Sequence, residues 1–126
     1  MKTMLCFRTI EGRFALPIES TLSVRTIEGM VNLPAPRPDV AGLLPGDPPL
    51  SVLASFGTGG DHVLVFTSKG VRYGLCVLEV LGVRRFADDQ IGPPPEGQQG
   101  ELISGTVYGS DELTLVVDPQ ALVARL

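Results

Sequence analysis

The sequence has few of the side chains with which proteins recognise nucleic acid. Its 126 residues contain no Trp, only 6% aromatic residues, and 10 Lys plus Arg against 14 Asp plus Glu. Stacking on single-stranded bases needs aromatic side chains, and binding along a phosphate backbone needs a basic surface. With a formal net charge of −4, the chain offers neither. We therefore predict that the protein does not bind nucleic acid.

Reactive and metal-ligating side chains are also scarce. His62 is the single histidine, and the two cysteines, Cys6 and Cys76, lie inside apolar strand-like segments, which favours buried free thiols over a disulfide or a metal site. The segment GTGGD (57–61) lacks the Lys-Ser/Thr pair of a phosphate-binding loop, and no Ser-His-Asp arrangement can be assigned. The sequence therefore predicts a protein that is not an enzyme and that has no metal or cofactor site.

Long hydrophobic runs are missing as well. No stretch approaches the roughly 18 apolar residues that a membrane-spanning helix requires. At the N-terminus, Arg8 and Glu11 interrupt the chain before an apolar segment of signal-peptide length develops. These features predict a cytoplasmic protein without membrane insertion.

Glycine and proline are abundant, at 15 and 11 residues, beside an apolar set dominated by Val and Leu. This composition favours short strands joined by tight turns, and turn signals divide the chain into about eight to ten of them. The sequence thus predicts an all-β sandwich or barrel. Asp118-Pro119 has the pattern of a helix N-cap followed by Pro at the first helical position, which predicts a short C-terminal helix over residues 120–126.

One segment of the chain occurs twice in related form. Residues 69–86 (KGVRYGLCVLEVLGVRRF) are similar to residues 11–24 (EGRFALPIESTLSV) when Phe14 is aligned with Tyr73. The same alignment matches Ala15 with Gly74, Leu16 with Leu75, Ile18 with Val77, Leu22 with Leu81 and Val24 with Val83. Glu11-Gly12 and Lys69-Gly70 are both expected to be hairpin turns, one residue out of step. Such self-similarity predicts one supersecondary unit used twice, and hence two related β half-units packed together.

Residues 18–25 and the basic pair at the end of the second copy leave alternatives open. The spacing in residues 18–25 fits a short helical turn or an irregular strand equally well. Arg84 and Arg85 end an apolar strand, where successive side chains point to opposite faces, so at least one guanidinium is expected to be exposed. Such charges can protect a strand edge from aggregation, or they can contact a partner protein.

Short motifs in a fixed order resemble a known family. In order along the chain they are FALPI (14–18), LPAP (33–36), VAGL (40–43), GVRYGLCV (70–77), EVLGV (79–83), IGPPP (91–95), ISG (103–105) and LVVD (115–118). Over residues 7–126 this order resembles the CheW-like family of bacterial chemotaxis scaffold proteins. The resemblance implies a mainly β fold in which two SH3-like five-stranded β-barrel subdomains share a hydrophobic core, with a short C-terminal helix, in a single domain spanning residues 1–126.

The same resemblance implies a function and partners. Family members are non-catalytic adaptors in bacterial chemosensory signal transduction. They couple the regulatory domain of a chemotaxis histidine kinase, bound at barrel ends, to the cytoplasmic tip of chemoreceptors, bound in the groove between barrels. A small-ligand-binding β-barrel sensor is the alternative, because the high Val and Leu content and a groove between two barrels would suit a small apolar molecule.

The chain departs from the family pattern at one turn. Where the family carries Asn-Leu-Arg-Gly, this sequence has PGDP (45–48), so Asp47 takes the arginine position, and Ser55 replaces an acidic residue after the next strand. A charge reversal at a rim changes partner choice more readily than it changes the fold. This departure therefore favours a divergent signalling array, for instance one that controls surface or pilus motility. The predicted partner-binding residues are Leu44, Asp47, Arg84 and Arg85.

Overall fold

The computed structural model describes residues 1–32, 39–96, 101–109 and 112–124. These residues form short strands, two 3-10 turns and one α-helix. The strands are β1 (Lys2–Thr9), β2 (Gly12–Pro17), β3 (Thr21–Thr26), β4 (Val40–Leu44), β5 (Leu50–Leu53), β6 (His62–Ser68), β7 (Val71–Val77), β8 (Glu79–Phe86), β9 (Ile91–Gly92), β10 (Ile103–Tyr108) and β11 (Leu113–Val117). The 3-10 turns are Ile18–Ser20 and Asp88–Gln90, and the α-helix, α1, is Pro119–Ala124. The LPAP motif (33–36) and the last two residues of the predicted helix lie outside the described residues.

The strands form two sheets that exchange parts of the chain. Sheet A is six-stranded with the order β8-β1-β2-β11-β10-β9, and sheet B is five-stranded with the order β3-β6-β7-β5-β4. The chain leaves sheet A after β2, builds all of sheet B, and returns to sheet A at β8. In sheet A the antiparallel hairpin β1–β2 lies between β8 and β11, and β11 runs parallel to β2. In sheet B the antiparallel hairpin β6–β7 lies between β3 and β5, and β5 runs parallel to β7. The flanking strands β8 and β3 each come from the other half of the chain. The predicted all-β class with two related units is confirmed.

Residue pairing within the hairpins confirms the internal repeat. Phe7 lies opposite Phe14 in the first hairpin, and Phe66 lies opposite Tyr73 in the second, at the same separation along the chain. Both ring pairs stack, with centroids 6.0 Å and 5.9 Å apart. The two copies are thus the same hairpin built around one cross-strand aromatic pair, which is an arrangement that stabilises sheets.

The strand after each hairpin repeats a bulge. In β3, Leu22 is the extra residue between the pairs Thr21–Phe66 and Ser23–Val65. In β8, Leu81 is the extra residue between the pairs that Val80 and Gly82 make with β1. A bulge bends its strand and increases the local twist, which helps each strand cross to the opposite sheet. Residues 18–25 therefore contain both expected alternatives, a 3-10 turn followed by an irregular strand.

Successive side chains along a strand point to opposite faces of its sheet. Those on one face pack in a core shared by the two sheets, and those on the other face pack in a smaller core of that sheet alone. In β1, Phe7 packs in the core between the sheets while Met4 and Cys6 point to the other side of sheet A; in β6, Phe66 and Val65 divide in the same way. The buried residues of the shared core are Phe7, Phe14, Leu16, Leu53, Phe56, Leu64, Phe66, Leu75, Val77, Leu102, Ile103, Val117 and Leu122. We call each sheet with its own small cluster subdomain A or subdomain B. Within the described residues each sheet keeps two edge strands, so these SH3-like units are open rather than closed barrels.

The first hairpin turn differs in position from the prediction. Its turn residues are Ile10 and Glu11, because Thr9 pairs with Gly12, which already begins β2 with φ +141°. In the second hairpin the turn residues are Lys69 and Gly70, both at positive φ, as the tight type I′ turn requires. The glycine is needed after the turn in one copy and inside it in the other, which explains the one-residue offset.

The C-terminal helix forms as predicted at its start. The carboxylate of Asp118 accepts a hydrogen bond from the Gln120 backbone N–H at 3.0 Å, which satisfies one of the free donors of the first turn. Leu122 is fully buried in the shared core, and α1 packs against β6. The helix therefore covers one side of the core between the sheets.

Candidate partner-binding surfaces

Two edge strands carry exposed apolar side chains at repeated positions. Leu22 and Val24 on β3 are 53% and 43% exposed, and Leu81 and Val83 on β8 are 37% and 58% exposed. β3 and β8 are edge strands of sheets B and A, respectively. We call Leu22 with Val24, and Leu81 with Val83, the apolar edge pairs. The internal repeat relates the two pairs, so each subdomain presents the same kind of surface.

The apolar edge pairs adjoin the shared core. Val24 lies opposite Leu64, a buried residue of that core, and Val83 lies opposite Leu5, which packs against it. Opposed residues in an antiparallel ladder project from the same face of the sheet. Val24 and Val83 therefore extend the apolar surface between the sheets outward to solvent. A single exposed Leu or Val is ordinary, but two related pairs on open strand edges form the kind of surface that another protein covers.

Arg84 and Arg85 lie on β8, next to one apolar edge pair. Both side chains are exposed, and neither has an ion-pair partner within the part of the chain that the structure describes. They pair with Met4 and Thr3 of β1. The strand therefore offers a short apolar segment followed by two free cations on a sheet edge.

Leu44 and Asp47 lie in subdomain B, at the turn between β4 and β5. Leu44 is 1% exposed and belongs to the small core of that subdomain, so its side chain supports the turn from inside. Asp47 is exposed. The four predicted residues thus divide between two sheets, and their contact with a partner stays a prediction.

Asp47 lines a groove at one end of subdomain B. The groove has a volume of about 820 Å³ and is formed by β3, the β4–β5 turn and the β6–β7 hairpin. We call it the mouth groove. Its lining residues are Ser23, Arg25, Pro45, Gly46, Asp47, Pro48, Pro49, Leu50, Ser51, Val65, Gly70, Val71, Arg72 and Tyr73. It combines two exposed arginines with an apolar floor, a combination that sequence reasoning did not identify.

Both cysteines are buried free thiols, as the sequence predicts. Burial raises the pKa of the Cys6 thiol, and the nearby charges of Arg84 and Arg13 oppose that shift. Burial likewise raises the pKa of the Cys76 thiol. Thiols held protonated are poor nucleophiles, so these residues serve packing.

The described residues hold no candidate metal site and no helix that could cross a membrane. Among residues 1–32, 39–96, 101–109 and 112–124, no group of three or more His, Cys, Asp or Glu side chains is placed to hold a metal ion. Over the same ranges, no helix has the length and apolar character needed to cross a membrane.

The residues of the apolar edge pairs are matched by the internal repeat, but their exposure could not be predicted from the sequence. The repeat matched Leu22 with Leu81 and Val24 with Val83, yet exposure depends on which strand lies at a sheet edge.

Phe56 is a buried residue that the sequence pattern also did not indicate. It lies in a loop with no periodic pattern, yet it is fully buried and stacks on Phe14 with ring centroids 4.2 Å apart.

Comparison with known proteins identifies the family. A search of curated proteins finds no match. Among solved structures, the crystal structure of the scaffolding protein TtCheW from Thermoanaerobacter tengcongensis is similar, with a TM-score of 0.81 at 18% identity, over 96% of this chain and 91% of that one. At this identity the likeness shows the fold. The family model described as CheW-like domain matches residues 39–126, and the chain therefore belongs to the CheW-like domain family.

Proposed function

We propose that the protein is a non-catalytic adaptor of a bacterial chemosensory pathway. It couples the regulatory domain of a chemotaxis-type histidine kinase to the cytoplasmic tip of a chemoreceptor or to a related signalling array, in the cytoplasm. Membership of a family of scaffold proteins supports the class of function. The apolar edge pairs are the observation that carries the proposal for this chain, because they provide exposed apolar surface on both subdomains.

The receptor is assigned to the apolar edge pairs. Val24 and Val83 border the core between the subdomains, and a receptor tip that presents apolar side chains would bury the apolar edge pairs together with the strand edges that carry them. Burying apolar surface contributes about 25 cal/mol per Å² before the costs of association. Arg84 and Arg85, which follow on β8, add charges able to select acidic residues on the partner.

Co-sedimentation tests the coupling. Membrane vesicles that contain a chemoreceptor from the same organism are mixed with its chemotaxis-type kinase, with and without this chain, and the kinase in the pellet is measured. We expect the kinase to sediment only when the chain is present. Kinase recovery that is independent of the chain, or absent in its presence, would contradict the proposal.

Matched variants test the surface. Leu81→Ser with Val83→Ser is expected to lower receptor-dependent recovery about tenfold, because roughly 1.4 kcal/mol of apolar burial corresponds to that factor. The control is Ile10→Ser, which removes an apolar side chain that is 59% exposed but lies in the β1–β2 turn, five residues along the chain from Leu5, the partner of Val83. Equal loss in the control would refute the assignment of the receptor to the apolar edge pairs. Far-UV circular dichroism confirms that each variant is folded.

A further inference from the structure

The mouth groove of subdomain B contains two arginines that lack an ion-pair partner. Arg25 on β3 and Arg72 on β7 are exposed and line the groove, and neither forms an ion pair with a described residue. Asp47 lines the same groove but is not within ion-pair distance of either arginine. The local charge of these three side chains is therefore positive in a chain whose net charge is −4.

The internal repeat supplies a comparison within the molecule. The alignment that relates Phe14 to Tyr73 relates Arg13 to Arg72 and Arg84 to Arg25. In subdomain A, Arg13 forms an ion pair with Glu112, just ahead of β11. The corresponding turn of subdomain B carries Asp47, which leaves Arg72 unpaired among the described residues. In subdomain A one of the two repeat-related arginines, Arg13, is therefore in an ion pair. In subdomain B neither Arg25 nor Arg72 forms an ion pair with a described residue.

The separation of the two arginines favours an extended occupant over a compact anion. β6 lies between β3 and β7 in sheet B, so Arg25 and Arg72 are two strand spacings apart, about 10 Å. Arg25 is opposite Val63 and Arg72 is opposite Thr67, which adds about 13 Å along the strand direction. Both side chains lie on the same face of the sheet, since Val63 and Thr67 are an even number of residues apart. Two carboxylates spaced along an extended chain fit this geometry.

The floor between the arginines is apolar. Val65 and Leu50 belong to the small core of subdomain B and also line the groove. An extended segment places alternate side chains on one face, and residues four apart on that face are about 13 Å apart. Two acidic residues at that spacing can reach the arginines while the intervening backbone lies over this floor.

We propose that the mouth groove binds an extended acidic segment of a partner protein, with Arg25 and Arg72 each engaging a carboxylate. Arginine forms bidentate, charge-assisted hydrogen bonds with carboxylates, which are about twice as strong as neutral ones. Asp47 repels a carboxylate at its own rim of the groove. The proposal concerns a different surface from the apolar edge pairs and does not depend on the identity of the kinase or receptor.

Fluorescence anisotropy tests the proposal with a defined peptide. The probe is a fluorescein-labelled peptide of alternating Glu and Val, and the control peptide carries Gln in place of every Glu. We expect saturable binding of the Glu peptide that weakens as salt is raised, because exposed charges are screened. The Gln peptide should bind at least about tenfold more weakly.

Matched double variants locate the site. Arg25→Gln with Arg72→Gln should weaken binding of the Glu peptide at least about tenfold, whereas Arg13→Gln with Arg84→Gln, which changes the net charge equally at the repeat-related positions, should not. Asp47→Asn should tighten binding. Equal losses in both double variants would mean that net charge alone attracts the peptide, and the proposal would be wrong. Absence of wild-type binding at low salt would also refute it, as would self-association of the chain that only the first double variant abolishes, because the occupant would then be a second copy.

Discussion

Replacing Gly74 by Ala tests the packing inside subdomain B most directly. Gly74 lies on β7, where the first copy of the repeat has Ala15. A Cβ atom at Gly74 would stand 2.5 Å from Cγ1 of Val63, 3.3 Å from Leu50 and 3.4 Å from Val52. A real Cβ contact is not that short, so Val63 must move within a closely packed cluster. Overpacking of this kind costs about 1–3 kcal/mol, and we expect Gly74→Ala to lower the free energy of unfolding by that amount.

A double-mutant cycle identifies the clash as the cause. Val63→Ala removes two buried methyl groups at about 0.8 kcal/mol each, plus a cavity contribution, so alone it should cost about 2 kcal/mol. In the double variant the methyl group introduced at position 74 occupies the space that Val63 vacates. The combined loss should therefore be at least about 1 kcal/mol smaller than the sum of the single losses.

Urea unfolding followed by far-UV circular dichroism measures these free energies, since the chain has no Trp to report by fluorescence. The control is Ala15→Gly at the repeat-related position, where the methyl is already accommodated and fully buried. That change should cost about 1–2 kcal/mol through lost burial and added backbone freedom. If Gly74→Ala is as stable as the wild type, or if the losses in the cycle simply add, the described packing of this subdomain is incorrect.

Two further predictions concern the shared core and the buried thiols. Phe56→Ala removes a fully buried ring that stacks on Phe14, and it should lower the free energy of unfolding by about 3–5 kcal/mol, measured by the same denaturation, although Phe56 lies in a loop. Burial raises the pKa of both Cys6 and Cys76 in the folded state, so unfolded thiols ionise first and stability should fall as pH rises through the ordinary thiol range near 8.5. Replacing both cysteines by Ala should remove that fall, and an unchanged pH profile of unfolding in the replaced chain would show that other groups cause it.

The sequence predicted local units well because they rest on local patterns. The second hairpin follows from a β-branched strand, a Lys-Gly turn at positive φ and a returning apolar strand, and the repeat follows from matched aromatic and apolar positions. The exchange of β3 and β8 between sheets could not be predicted, because strand pairing over long separations leaves no periodic signal in either strand. The burial of Leu44 could not be predicted for the same reason.

The candidate surfaces were predicted only in part. At least one of Arg84 and Arg85 was expected to be exposed, because adjacent residues on a strand face opposite ways. Both are exposed, because β8 is an edge strand. The mouth groove joins residues from β3, β5 and β7 that are far apart in sequence, so Arg25 and Arg72 carried no common signal. Their relation appears only once the sheet order is known.

Direct binding to the kinase tests the central claim of a non-catalytic adaptor. Isothermal titration calorimetry of this chain against the isolated regulatory domain of a chemotaxis-type histidine kinase from the same organism should give a saturable complex. The variant with Ser at positions 81 and 83 should bind that domain as the wild type does, because those residues are assigned to the receptor. No detectable heat with any such regulatory domain of that organism, confirmed by sedimentation velocity at the same concentrations, would contradict the account.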